Sequence, residues 1–255
     1  MPQPCPVLPC PPQDVMDMDD AKPSAPRPRW YQRCVPPCVA ELLGTALFVF
    51  LGCLSVLEDS GGTGRLQPAL AHGLALGVAV AVLGDISGGH FNPAVSLCVW
   101  LLGGLRRTML IPYCLCQLCG GVIGAALAKV VAPSERFANA SGGAFGGTAA
   151  ARGVPAVLAA ELLLSSFLLL AACAGPTEGR SRVPLAPLAP LAPLAPLRAG
   201  LAATAGILAG GGVSGGCMNP ARAFGPALLA DCWDYHWVYW VAPMGAALLV
   251  GLLLR

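Results

Sequence analysis

The chain has 255 residues, of which 56% are hydrophobic and 11% charged, whereas soluble domains are roughly 25% charged. No single soluble core could enclose that much apolar side chain, so the composition excludes a soluble globular domain and implies a polytopic membrane protein. A formal charge of +2 and the absence of any basic stretch interleaved with aromatics argue against a nucleic-acid partner, and twelve scattered cysteines form neither a zinc spacing nor a disulfide framework.

Residues 1–29 hold nine prolines and the acidic Asp17, Asp19 and Asp20 without an apolar run. Residues 1–33 are therefore expected to be a disordered Pro-rich tail, and they lack the apolar core of a signal peptide. Trp30 and Tyr31 read as interfacial anchors ahead of the first span. From residue 34 to 255 apolar segments recur, with spans expected near 36–57, 67–84, 109–131, 155–175, 195–209 and 235–254. Most approach the ~20 residues needed to cross hydrocarbon, and the fifth is short.

Between spans two and three lies Ile86-Ser87-Gly88-Gly89-His90-Phe91-Asn92-Pro93-Ala94. After span five comes Val213-Ser214-Gly215-Gly216-Cys217-Met218-Asn219-Pro220-Ala221, identical at six of nine positions. Each copy is a glycine-rich turn ending in Asn, a favoured helix N-cap, then Pro, favoured at the first helical position. The apolar pieces that follow, 93–103 and 220–230, are about half a span long. Such half-helices are tolerated at membrane depth only where they are buried in protein or line a cavity. Ala-Glu-Leu-Leu also repeats, at 40–43 and 160–163. The chain thus reads as two repeats, 34–131 and 155–254, of three spans and one half-helix each. Because three is odd, the halves are inverted, an arrangement that places a pathway at their interface. The fold expected is all-α, with six transmembrane helices and two re-entrant half-helices.

Ten basic residues from Lys22 to Arg255 fall on the side of the termini, against Arg65, Arg136, Arg152 and Arg222 on the other. The bias predicts that both termini are cytoplasmic. Asn139-Ala140-Ser141, a glycosylation sequon, falls in the outside loop between spans three and four. Prolines at every third position from Pro184 to Pro196 exclude an α-helix and suit polyproline II, so 177–194 is expected to be a cytoplasmic linker that has grown by tandem duplication.

Half-helices that meet at the midplane bring together positive dipole ends, unsatisfied N–H groups, and the amides of Asn92 and Asn219. Two amide NH₂ groups donating to one passing water would orient it and interrupt a proton relay, while the positive potential repels cations. Merely capping their helices is the plainer role for these two residues.

The paired Asn-Pro-Ala motifs, with Arg222 after the second, closely resemble the aquaporin (major intrinsic protein) family from about residue 34 to the end. The resemblance implies a passive channel for water and small neutral solutes in a lipid bilayer, assembled as a homotetramer. It implies pore motifs at Asn92, Pro93, Ala94, Asn219, Pro220 and Ala221, and a filter of His72, Ile207, Gly216 and Arg222. Ile207 and Gly216 imply an opening wider and less polar than that of strict water channels. Water, ammonia and hydrogen peroxide are the solutes expected, with urea a lesser candidate. Ala223 stands where glycerol-transporting members usually carry Asp, so glycerol fits less well. Cys217 is a candidate for mercurial block if it faces the pore, or else a small buried thiol. Glu41 and Glu161 are implied to bind backbone groups of the two re-entrant loops. His90, Phe91 and Met218 pack or line the pore beside the half-helix starts, and His236 reads as interfacial.

Inverted repeats also permit a coupled transporter, with Glu41 and Glu161 as its only carboxylate candidates. A degraded, non-conducting relative is the other rival, prompted by the Leu-Ala-Pro insertion and the short fifth span. With no nucleophile–base pair and no metal or cofactor motif, neither an enzyme nor a cofactor is expected.

Overall fold

The structure, a computed structural model, describes residues 29–58, 63–146, 151–173 and 194–255. The expected tail as far as residue 28 and the Leu-Ala-Pro linker as far as residue 193 lie outside the described residues. Among the described residues every regular element is helical: α1 Trp30–Leu57, α2 Leu66–Ser87, α3 Pro93–Leu101, α4 Leu110–Val131, α5 Ser134–Asn139, α6 Val154–Cys173, α7 Ala195–Gly210, α8 Pro220–Ala230 and α9 Val238–Leu253. The spans and half-helices read from the sequence correspond to α1, α2, α3, α4, α6, α7, α8 and α9. Four of them (α1, α2, α4 with the 3-10 turn that leads into it, and α6) are long and apolar enough to cross a bilayer. Helices α7 and α9 have 16 residues each, about 24 Å at 1.5 Å per residue, short of the ~30 Å hydrocarbon core.

One boundary differs from expectation. Helix α1 begins at Trp30, inside the stretch assigned to the tail, and runs through Pro36 and Pro37. Pro37 has no N–H for the carbonyl of Arg33 four residues earlier. Arg106, in the segment between α3 and α4, supplies the missing donor: its Nη2 lies 2.7 Å from that oxygen. Helix α7 starts at Ala195 with Pro196 in its first turn, where a proline costs no hydrogen bond.

The packing repeats with the sequence. Helix α1 packs on α2 and α4, as α6 packs on α7 and α9; α2 meets its counterpart α7; α8 lies on α4 as α3 lies on α9. Exchanging the two halves maps this set of contacts onto itself, which is the signature of an internal twofold. Small residues permit the close approaches. A Cβ on Gly73 would meet the Gly200 carbonyl across α2–α7, one on Gly120 the Leu42 carbonyl across α1–α4, and one on Gly225 the Gly121 carbonyl across α4–α8. On the outside, Leu66, Leu70, Leu74, Val78, Val82 and Ile86 are exposed along α2 at four-residue intervals, an apolar stripe suited to hydrocarbon.

Candidate pore and constriction

Both re-entrant loops adopt the same backbone. Gly88 and Gly89 have φ of 91° and 65°, Gly215 and Gly216 have 92° and 65°, and the residues before each asparagine, Phe91 and Met218, are left-handed at 47° and 55°. That region is costly for side chains other than Gly, so something must hold it. Glu41, fully buried on α1, accepts from His90 N at 3.0 Å and Phe91 N at 2.7 Å. Glu161, equally buried on α6, accepts from Cys217 N at 2.9 Å and Met218 N at 2.8 Å. Each carboxylate thus clamps the strained residue and the one before it, satisfying two loop amides that a membrane interior would otherwise leave bare.

The sequence reading gave no bracing role to the groups that support these clamps. Tyr113 Oη donates to Ser87 O at 2.9 Å, and its counterpart in the other half, Tyr239, donates to Ser214 O at 2.8 Å. Gln117 Nε2 donates to Glu41 at 2.7 Å and to Ser96 Oγ at 2.8 Å. The available signal was a lone hydroxyl or amide in an otherwise apolar span, since such a group at membrane depth needs a partner.

With the loops fixed, the half-helices meet tip to tip. Asn92 Oδ1 accepts from Ala94 N at 2.9 Å, and Asn219 Oδ1 accepts from Ala221 N at 2.9 Å and Arg222 N at 3.3 Å. Both asparagines therefore cap their own helices. They also cross-link the repeats, because Asn92 Nδ2 donates to Met218 O and Asn219 Nδ2 to Phe91 O, each at 2.9 Å. An amide NH₂ has two hydrogens, so one remains on each asparagine. Both residues border a narrow cavity of about 30 Å³, whose other walls include Phe48, Val95, Leu168 and Cys217. That is room for about two water centres. Cys217 is 5% exposed and its Sγ donates to Asn219 O at 3.1 Å, so it is both a wall of the cavity and a buried thiol.

A second, wider cavity of about 430 Å³ opens on the Arg222 side. His72 and Ile207 border both cavities, and Gly216 and Arg222 border the wider one. All four residues named as the filter thus border the wider cavity, and His72 and Ile207 stand between it and the inner one. Glycine relieves strain at 216: φ is positive, and a Cβ would lie 3.0 Å from Ile207 Cα. Gly52 on α1 makes room for the His72 ring, which a Cβ there would strike. Arg222 is 3% exposed. It donates from Nε to His72 Nε2 at 3.1 Å and from Nη1 to Gly143 O at 2.8 Å, and its guanidinium lies 4.4 Å from the centre of the Phe145 ring. Gly143 and Phe145 belong to the segment between α5 and α6, and the sequence reading missed both because only the fold brings them to Arg222. Asn139, at the end of α5, is exposed.

Two half-helices joined at their N-termini inside a helical bundle, with one cavity at their junction and a wider one over a buried arginine, define a membrane channel. Residues 32–254 match the Major intrinsic protein family, and the chain belongs to that family, as a channel and not an enzyme. It is 57% identical over 226 residues to Aquaporin-8 of Rattus norvegicus, covering 89% of this chain and 82% of that protein. It is 36% identical over 228 residues to Probable aquaporin TIP1-2 of Oryza sativa subsp. japonica, covering 84% and 83%. Among solved structures, the aquaglyceroporin from Plasmodium falciparum shares the fold with a TM-score of 0.67 at 22% identity, covering 86% of this chain and 94% of that one.

Proposed function

We propose that this channel conducts water, ammonia and hydrogen peroxide, with urea as a poorer solute, and excludes protons and ions. The observation that carries the reading is the reciprocal link of Asn92 and Asn219. Their oxygens are consumed by their own helix starts and one hydrogen of each by the opposite loop, which leaves only donors for the pore. A water between them accepts from both and cannot relay a proton along the file, and the two helix N-termini set a positive potential against cations. His72, Ile207, Gly216 and Arg222 act as the size and polarity filter. The similarity to Aquaporin-8 of the rat supports water as a solute.

The coupled-transporter reading loses support because Glu41 and Glu161 are each occupied by two loop amides. Both termini are cytoplasmic in this reading, Asn139 carries a glycan where the chain passes through a glycosylating compartment, and the assembly is a homotetramer. Stopped-flow measurement on proteoliposomes, with separate water, ammonia, peroxide and urea gradients, tests the solute list. Rates equal to those of empty vesicles for the first three would sink the channel reading in favour of a non-conducting relative. Rates that depend on a Na⁺ or H⁺ gradient would sink passive conduction.

A further inference from the structure

The wide vestibule above the constriction carries more positive charge than a filter needs. Besides Arg222 at its base, it is lined by Arg65, which precedes α2, and by Arg152, which precedes α6. No acidic side chain among the described residues lines it. Glu58, at the end of α1, is taken by an ion pair with Arg136. Neither the Arg65 nor the Arg152 side chain forms an ion pair or hydrogen bond among the described residues.

Arg65 is also held in place. Its side chain lies on the glycine pair that ends α7: a Cβ on Gly212 would collide with the guanidinium, and one on Gly211 would lie 2.9 Å from Cδ. Two carbonyls of that helix end accept from the backbone, Ile207 O from Gly211 N and Gly210 O from Val213 N and Ser214 N, and among the described residues no hydrogen bond joins the Arg65 guanidinium to it. Two guanidinium groups with free N–H forks, set above a third in a concave space, match an anion that presents several oxygens. A concave wall of one charge sign also raises the local concentration of the opposite ion.

We propose that the vestibule is a binding site for a small oxyanion, with the chemistry shared by sulfate, phosphate and short carboxylates. Arg65 and Arg152 hold it above Arg222, and a bound anion throttles passage through the constriction beneath. The throttling rests on the channel reading; the binding does not.

Two readouts separate them. The first is thermal unfolding of the full chain in uncharged detergent, in sodium sulfate or sodium chloride of equal ionic strength. Sulfate stabilises proteins generally by exclusion from their surfaces, so the comparison is with Arg65→Gln/Arg152→Gln. The wild type gains an extra ~2–4 °C over that variant, and an equal gain in both overturns the site. Arg65→Lys/Arg152→Lys keeps the charge without the fork and retains less than half of the extra gain; full retention would reduce the site to non-specific charge. Acetate and phosphate in place of sulfate identify the class, the carboxylate giving the smaller shift if more oxygens matter.

The second readout is water permeability of proteoliposomes, with the anion on both sides at matched osmolarity. Sulfate slows the wild type at least about twofold relative to chloride, and the Gln variant shows no such ratio. An unchanged wild-type rate beside a retained thermal shift overturns the throttling and leaves the site standing. A wild type that conducts nothing while keeping the thermal shift counts against the channel reading alone.

Discussion

Arg222 donates from Nε to Nε2 of His72 at 3.1 Å, and this bond fixes the state of the ring. His72 Nδ1 lies 2.7 Å from the Pro68 carbonyl oxygen, which can only accept, so Nδ1 carries the hydrogen and Nε2 the lone pair. The imidazole is neutral and both its nitrogens are committed, so neither is left for a solute. In the proposed filter the ring then gives shape, and Arg222 remains as the donor. His72→Ala should raise urea permeability at least about threefold by opening the ring, with little change for water, measured by solute swelling in proteoliposomes. Arg222→Ala should admit cations, read as a Na⁺ or H⁺ leak absent from the wild type. Urea permeability unchanged in His72→Ala would place the size limit elsewhere.

Cys217 borders the inner cavity beside Asn219, so a mercurial that reaches the thiol should block the file. Cys217→Ser should keep most water permeability and lose at least about nine-tenths of the mercury block, since a hydroxyl can take over the bond to Asn219 O while lacking the soft sulfur donor. Of the other cysteines among the described residues, Cys53 and Cys98 are fully buried and border neither cavity. Undiminished block in Cys217→Ser would move the reactive thiol to one of the remaining sites.

The clamps make a contrast between the halves. Glu41 accepts from four groups: His90 N, Phe91 N, Ser87 Oγ and Gln117 Nε2. Glu161 takes the two equivalent amides of its loop and the hydroxyl of Ser214, the counterpart of Ser87, so the contrast is the fourth donor, Gln117. A glutamine would place an NH₂ where one oxygen accepted, turning donor against donor in a fully buried site. Glu41→Gln should cost about 2–4 kcal/mol and Glu161→Gln about 1–3 kcal/mol, compared by thermal unfolding in detergent. Equal losses would give the Gln117 bond no weight, and negligible losses would mean that the left-handed Phe91 and Met218 are held by packing, through Gly44 beneath Phe91 and Gly206 beneath Met218.

Where the sequence was legible, the signal was local or repeated. Asn-Pro marks a helix start wherever it occurs, so α3 and α8 begin where the motif says, and apolar runs place the longer helices to within a few residues. The halves could be aligned because Ala-Glu-Leu-Leu and Ser-Gly-Gly recur. What escaped depends on contacts that no local pattern encodes. Phe145 meets Arg222 from a loop, Gln117 reaches Glu41 across two helices, and Tyr113 looks like any interfacial tyrosine until its partner carbonyl is known. Local propensity was outweighed at Phe91 and Met218 by the buried carboxylates, and at Pro36-Pro37 by a tertiary contact.

The exception at Pro36-Pro37 is testable as a cycle. If Arg106 is what lets α1 continue past the missing Pro37 N–H, then Arg106→Leu should destabilise the protein by about 0.5–1 kcal/mol, the worth of one partly exposed hydrogen bond. Pro37→Ala restores the backbone donor to the Arg33 carbonyl, and in that background the same Arg106→Leu should cost a few tenths of a kcal/mol at most. The interaction energy between the two sites, from the midpoints of four thermal melts, is the quantity to read. Arg106 also lies 3.8 Å from Cys34 Sγ through the same Nη2, a weak contact that Pro37→Ala leaves untouched. Additive effects of the two substitutions would therefore assign the cost to Cys34 or to packing, and leave the run of α1 through its prolines to the hydrocarbon around it.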